Sequence, residues 1–328
     1  MILILDGNNI AYRALFTLKL STSDGQDVSV LYGVLKMVIS LIKKHHPQSI
    51  IVAFDGGVPP FRRALYPEYK AHRTRDDSID WNDVFYQLDE LCTYILPRMG
   101  IMTLHHRNVE ADDFMAQAAT LAMDHPYIVT TDNDLLQMVT SRISVLDPTS
   151  GKIYTQDNFE ELVGVKSRLY LFYKIMVGDH SDGISGVRGI GHITAIKMMR
   201  EFDKWWNGEF GNVWDGYAYD ALEFFCVHDW NCLSDRQQES LRQFGIDNLL
   251  AAYDVMDLHI DRTGVGIIIG DSNWTPMDVD FVRNYFMRYE FVSLLGKDNI
   301  NPFTKLVKPA LSQEIRTPVW AAVRMPRG

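Results

Sequence analysis

The 328-residue chain has an ordinary globular composition, 47% hydrophobic and 23% charged, with material for one large domain or two smaller ones. Its apolar stretches fall short of the roughly 18 residues that a membrane span needs, and Met-Ile-Leu-Ile-Leu-Asp has no basic leader, which predicts a cytoplasmic protein. Cys92, Cys226 and Cys232 form no CxxC pair and are odd in number, so neither a zinc ribbon nor a disulfide framework is expected.

In chain order, Ile2–Leu5, Ile50–Phe54, Ile101–Leu104 and Tyr127–Thr130 are short and aliphatic, as strands are. Between them lie the helical patterns Val30–Lys44, Trp81–Arg98 and Glu110–Met123. Strands alternating with helices of this length predict βαβ units and an α/β fold whose central sheet is mainly parallel. In such sheets the ligand crevice lies at the carboxyl ends of the strands, where Asp6, Asp55 and Asp132 stand. Any one of these reads equally well as a helix N-cap; three together do not.

From Gly164 the pattern turns helical, with Lys166–Val177, Ile193–Phe202 and further helices through Leu295. Trp205–Tyr219 reads as an irregular insertion, and residues 265–270 as a strand or an apolar connector. The expected organisation is an α/β core over 1–163, a helical part over 164–300 and a Pro-rich basic tail over 301–328. That tail has five basic residues against Glu314 alone, so its +4 leaves −14 for residues 1–300 of a chain carrying −10 overall. It reads as extended.

Nine acids fall in short blocks: Asp6, Asp55, Glu110/Asp112/Asp113, Asp132/Asp134 and Asp179/Asp182. Gathered in one place they repel and raise one another's pKa values, a state that bound cations relieve. All are hard oxygen donors, suited to magnesium with manganese as a substitute. Two such ions about 4 Å apart can hold a phosphodiester between them.

Phe61-Arg-Arg-Ala-Leu-Tyr-Pro-Glu-Tyr-Lys-Ala-His-Arg73 is basic and aromatic and follows the second strand. Lys70 and Arg73 would act on a scissile phosphate, Arg62 would contact nucleic acid, and Tyr69 would stack on a terminal base. Residues 74–100 read as a lid or arch. Gly178-Asp-His-Ser-Asp-Gly-Ile-Ser-Gly-Val-Arg-Gly-Ile-Gly191 then precedes an amphipathic helix. Gly186, Gly189 and Gly191 let backbone approach a phosphate or a cation, and Lys197 and Arg200 share a face of that helix.

These strings resemble the 5′-nuclease family: flap endonucleases, phage 5′→3′ exonucleases and ribonucleases H of that type, and the 5′-nuclease domain of bacterial DNA polymerase I. The matching strings are Asp6-Gly-Asn, Ala53-Phe-Asp-Gly, Pro67-Glu-Tyr-Lys-Ala-His-Arg73, Val109-Glu-Ala-Asp-Asp113, Thr131-Asp-Asn-Asp134 and the glycine-rich string, in family order over residues 1–202. Arg288-Tyr-Glu-Phe-Val-Ser-Leu-Leu295 is a weaker echo.

The resemblance implies a PIN-like/5′-nuclease fold with a helix–three-turn–helix at 178–202 that binds duplex phosphates and often a potassium ion. It implies a first metal site of Asp6, Asp55, Glu110, Asp112 and Asp132. Asp134, Asp179 and Asp182 would build a second, with Asp113 and Asp132 shared or nearby. Lys70 and Arg73 would stand at the base of a helical arch, within about 71–100, through which a 5′ single strand passes. The implied activity is two-metal hydrolysis of 5′ flaps, 5′ ends and RNA primers in RNA–DNA hybrids, in replication or repair, by a phage-encoded or bacterial enzyme. A monomer is expected, with a replication protein as a partner for the tail.

The arch segment departs from the family in being acidic: Asp76, Asp77, Asp80 and Asp83 fall within eight residues. Three rival functions fit the sequence less well. A haloacid-dehalogenase-type phosphatase needs an acid at position 8, where Asn8 stands. A PIN-like single-strand ribonuclease needs neither the basic excursion nor the glycine string. A non-catalytic DNA-binding protein has no use for so costly an acid cluster.

Overall fold

The computed structural model describes residues 1–206, 218–261 and 274–312. A six-stranded sheet forms its centre, with the first strand between the second and the fourth, and all but the sixth strand running parallel. Strand β1 is Ile2–Asp6, followed at once by α1, Gly7–Thr17, and then by α2, Ser29–His45. Next come β2, Ser49–Ala53, and the short α3, Pro60–Leu65. Helix α4, Trp81–Asp89, runs through a π-helical turn, Glu90–Ile95, into α5, Leu96–Arg98. Then follow β3, Met102–Leu104, α6, Ala111–Leu121, and β4, Pro126–Val129. The expected α/β architecture is therefore present, each of the four predicted strands lying within two residues of its expected place.

Two small strands complete the sheet where no alternation announced them: β5, Ser144–Leu146, and β6, Ile153–Tyr154. Helix α7, Phe159–Val163, ends on Gly164 with φ +94° and leads into α8, Tyr170–Val177. The glycine-rich string contains a short antiparallel pair, β7, Gly178–Asp179, and β8, Ile184–Ser185, before α9, His192–Trp206. Helices α10, Ala218–Val227, and α11, Asp235–Met256, follow; α11 bends at Gly245, whose φ is +76°. The chain then forms α12, Val279–Arg288, and α13, Lys297–Ile300.

Strand β1 shows why the sheet carries two cores. Successive strand residues point to opposite faces, so Ile2 and Ile4 join one apolar cluster and Leu3 and Leu5 the other. The first cluster continues without a break into Phe172 of α8, Met198 and Phe202 of α9 and Tyr253 of α11. The second holds α2, the buried side of α4 and, from the far end of the chain, Val282 and Phe286 of α12. The expected helical part over 164–300 is thus divided. Helices α8 to α11 cover one face of the sheet, while α12 returns to the other, because its apolar stripe completes the α2 cluster.

The first part of the expected extended tail lies against the core. Residues 307–312 form a strap: Val307 donates its N–H to the Gln48 carbonyl at 2.8 Å, and Ser312 donates to the Leu121 carbonyl at 2.8 Å. Leu311 within it and Leu306 just before it are buried. Residues 313–328, residues 265–270 and most of the expected Trp205–Tyr219 insertion lie outside the described residues, although α9 carries regular helix to Trp206. Among the described residues no helix is long and apolar enough to cross a membrane.

Candidate active site

Strand β1 pairs in parallel with both β2 and β4, so the three aspartates that follow these strands arrive at one edge. Each is locked there by backbone. Asp6 caps α1, its Oδ1 accepting the Asn9 N–H at 2.9 Å, and Thr130 donates its hydroxyl to Asp6 Oδ2 at 3.3 Å. Asp55 accepts the Ala111 N–H at 2.8 Å, at the start of α6, while its own N–H donates to Asn8 Oδ1 at 2.9 Å. Asp132 accepts the Asp134 N–H at 2.8 Å. The N-cap roles that the sequence allowed are therefore real for Asp6, and the same carboxylates still face one another.

Their electrostatics show that proximity. Burial first, then the charges of Asp55 and Asp132, raise Asp6 to about 7. Burial, then Asp132, Asp6 and Asp55, raises Asp112 well above the usual carboxylate range. Burial also raises Asp55, with Glu110 adding to it against the Ala111 N–H and Lys70. Among the described residues none of Asp6, Asp55, Asp112 and Asp132 makes an ion pair.

A few residues away the acids are neutralised. Lys174 of α8 sets its ammonium 2.7 Å from Asp134 and 2.6 Å from Asp179. Burial raises Asp134 to about 6, with Asp132 adding to it and Lys174 opposing. For Asp179, burial pushes upward but the Lys174 and Ser181 bonds prevail and hold it at about 2. Lys70 lies 2.5 Å from Glu110 and 3.7 Å from Asp182, and Arg73 pairs with Asp182. Burial pushes Glu110 up as well, yet Lys70 and Arg62 prevail and hold it below its ordinary value. The basic loop reaches this place through backbone: Lys70 adopts φ +55° and donates its N–H to the Asp182 carbonyl at 2.8 Å.

The structure thus gathers Lys70, Arg73, Asp6, Asp55, Glu110, Asp112, Asp132, Asp134, Asp179 and Asp182. Three other expected site residues are placed differently. Arg62, only 2% exposed, bonds Asp113 with both terminal nitrogens and Glu110 with one of them. That contact removes Arg62 from any exposed surface and sets Asp113 beside Glu110 on the same guanidinium. Tyr69 is 6% exposed and donates its hydroxyl to Glu110 Oε2 at 3.1 Å, so its ring cannot stack on a base. Packing decides all three, since each side chain fills the junction between α3, α6 and the basic loop.

In the glycine string, a Cβ on Gly186 would stand 2.1 Å from the Val177 carbonyl oxygen, so only glycine fits there. Gly189 has φ +83°, and its carbonyl accepts Gln237 Nε2 at 2.7 Å; Gly191 has open space around it. Lys197 and Arg200 are exposed on α9, with Arg200 lining a cleft beside Glu160, Lys166 and Asp203. Lys174 was not among the expected residues. Its signal was a lone lysine in the apolar run Tyr170-Leu-Phe-Tyr-Lys-Ile-Met-Val177.

Among the described residues no three His, Cys, Asp or Glu side chains stand as a ready coordination shell. The donor set nevertheless fits hard divalent cations: it is all oxygen and mutually repelling, with Asp6, Glu110 and Asp182 buried and Asp55 and Asp132 open to solvent, and with ammonium groups between the carboxylates of its other half.

The family model described as 5′-3′ exonuclease, N-terminal resolvase-like domain, matches residues 1–164. A 5′-3′ exonuclease of Aquifex aeolicus is 33% identical over 203 residues, covering 61% of this chain and 68% of that protein. The thermostable DNA polymerase I of Thermus thermophilus is 35% identical over 207 residues, covering 61% of this chain. The match takes in 24% of that polymerase, so the chain aligns with about a quarter of it. Among solved structures, T5 5′-exonuclease bound to zinc superposes with a TM-score of 0.60 at 23% identity, covering 93% of this chain and 97% of that one. The catalytic core of Rad2 in complex with DNA substrate superposes at 0.52 and 19% identity, covering 94% and 92%. The strand-end carboxylates, the fold and the match over residues 1–164 agree: this chain belongs to the 5′-3′ exonuclease family.

Proposed function

We propose that the chain is a metal-dependent, structure-specific 5′-nuclease that hydrolyses phosphodiesters in 5′-ended or branched duplex DNA and in RNA–DNA hybrids, during replication or repair. One observation carries the reading: four carboxylates, the buried Asp6, the half-buried Asp112 and the solvent-reached Asp55 and Asp132, face one another without an ion pair among the described residues. Such a cluster is costly unless cations enter it. With Glu110 these residues would hold one divalent ion, and Asp134, Asp179 and Asp182 a second, magnesium by preference with manganese as a substitute. Bound there, the ions would supply an activated water and charge stabilisation for the leaving oxygen.

The chain's own residues do the positioning. Lys70 and Arg73 are held at the cleft by Glu110 and Asp182, where their charges can meet a scissile phosphate. Lys174 bridges Asp134 and Asp179 and keeps Asp179 ionised. The glycine string and the N-terminus of α9 offer N–H groups to duplex phosphates, with Lys197 and Arg200 exposed farther along the helix. A potassium ion in that loop would draw on its carbonyls, of which that of Gly189 is already engaged by Gln237.

The test is a 5′-flap duplex labelled at the 3′ end of the flap strand, incubated in magnesium or in chelator. Magnesium-dependent cutting near the junction, leaving 5′-phosphate and 3′-hydroxyl ends, is expected. Tight flap binding without cutting in magnesium or manganese would reduce the chain to a DNA-binding protein.

A further inference from the structure

Beside the cleft stands a group of aromatic rings that takes no part in holding the carboxylates. Trp81 and Phe85 are four residues apart on α4 and share a face, their rings 6.2 Å apart. Arg75 lies over both, 4.7 Å from the Phe85 ring centre and 5.7 Å from that of Trp81. On the other side Trp81 meets the edge of Tyr12 of α1 at 6.1 Å. Tyr12 leads directly to the carboxylates: its hydroxyl is 3.4 Å from Asn8 Nδ2, and Asn8 Oδ1 accepts the Asp55 N–H. A continuous run of contacts therefore joins Asp55 to rings that open on solvent. Phe85 is 37% exposed, and Phe16, four residues beyond Tyr12 on α1, is 67% exposed.

We propose that Arg75, Trp81 and Phe85 form a stacking platform for unpaired bases of a DNA strand held at the carboxylate cleft. The idea rests on the nuclease reading for its strand and adds how that strand is gripped. Surrounding charge decides which part of the strand touches the platform. Asp76, Asp80 and Asp83 flank it, so a phosphate run laid there would be repelled. Those carboxylates are already occupied: Asp76 accepts the Ser78 N–H at 2.9 Å, Asp80 caps α4 by accepting the Asn82 N–H at 3.0 Å, and Asp83 accepts the Gln87 Nε2–H at 2.6 Å. Bases carry no charge, and their faces suit aromatic rings and a flat guanidinium equally well. The strand would thus lie with bases inward and phosphates outward, which gives the acidity of this segment a purpose.

The experiment compares two duplexes with identical 5′ single-stranded arms, one bearing bases and one abasic, by fluorescence anisotropy in calcium. The parent chain should bind the base-bearing arm about tenfold more tightly, the size of one base–aromatic stack. Phe85→Ala and Arg75→Ala should each bring the ratio close to one, and Phe85→Trp should keep it; circular dichroism checks that each is folded. Equal affinity of the parent chain for the two arms, or a ratio untouched by the alanine variants, overturns the platform. Magnesium-dependent cutting by the parent chain is scored on the same duplexes. Cutting without base preference removes the platform alone, and base preference without cutting removes the nuclease reading alone.

Discussion

Arg62 and Asp113 face each other through two parallel bonds, Nη1 to Oδ2 at 2.7 Å and Nη2 to Oδ1 at 2.8 Å. Both side chains are shielded from water, and Glu110 accepts a further bond from the same guanidinium at 2.6 Å. Removing the arginine leaves Asp113 buried without its counter-charge and Glu110 with Lys70 alone. Arg62→Ala should therefore cost about 3–5 kcal/mol of stability in urea unfolding. If Arg62 served DNA instead, the variant would keep its stability and lose salt-dependent duplex binding.

The acid cluster predicts a pH dependence opposite to that of an ordinary ion-paired carboxylate. Asp6 titrates near 7 in the folded chain against an ordinary 3.8, and Asp134 near 6. The folded state thus holds its protons more tightly. The stability this provides is full below the unfolded value of 3.8 and is lost as pH rises toward about 7. Glu110 and Asp179, whose values are lowered, act only at more acid pH. Without divalent metal, the urea midpoint should fall from about pH 5 to about pH 7 and level off above it, and Asp6→Asn should flatten that fall. Magnesium should raise the midpoint at pH 8; a flat profile in chelator would contradict the assignment.

Lys174 neutralises Asp134 and Asp179 from within, its side chain 15% exposed. Lys174→Ala should destabilise the chelated chain by about 1–3 kcal/mol, less than a fully buried pair because solvent reaches the site. Added magnesium should raise the melting temperature of the variant by more than that of the parent, since it meets a larger unbalanced charge. Equal shifts in the two proteins would detach Lys174 from the cation site.

The strap of residues 307–312 offers a test remote from the chemistry. Leu306 and Leu311 are buried at 7% and 8% exposure, and the strap's hydrogen bonds tie Gln48 to Leu121. A chain ending at Lys305 should lose about 3–5 kcal/mol, the burial of two leucines, while its rate of cutting per folded molecule stays the same. A proportionate loss of that rate would mean that the strap positions the cleft.

Local pattern determined much of this protein. The strand–helix alternation, the strand-end positions of Asp6, Asp55 and Asp132, and the glycine that only a missing Cβ permits at position 186 all follow from spacing and backbone sterics, which act between near neighbours. Only the tertiary structure decided which acids keep an unbalanced charge. Asp112 and Asp113 are adjacent in sequence, and on a helix successive side chains point about 100° apart. One therefore enters the cluster, while the other meets an arginine 51 residues away in sequence. Tyr69 closes onto Glu110, Lys174 reaches Asp134 and Asp179, and Leu311 pairs with Ala122 by the same logic. Spacing along the chain sets the face a side chain shows; the partner waiting on that face is supplied by packing between distant segments.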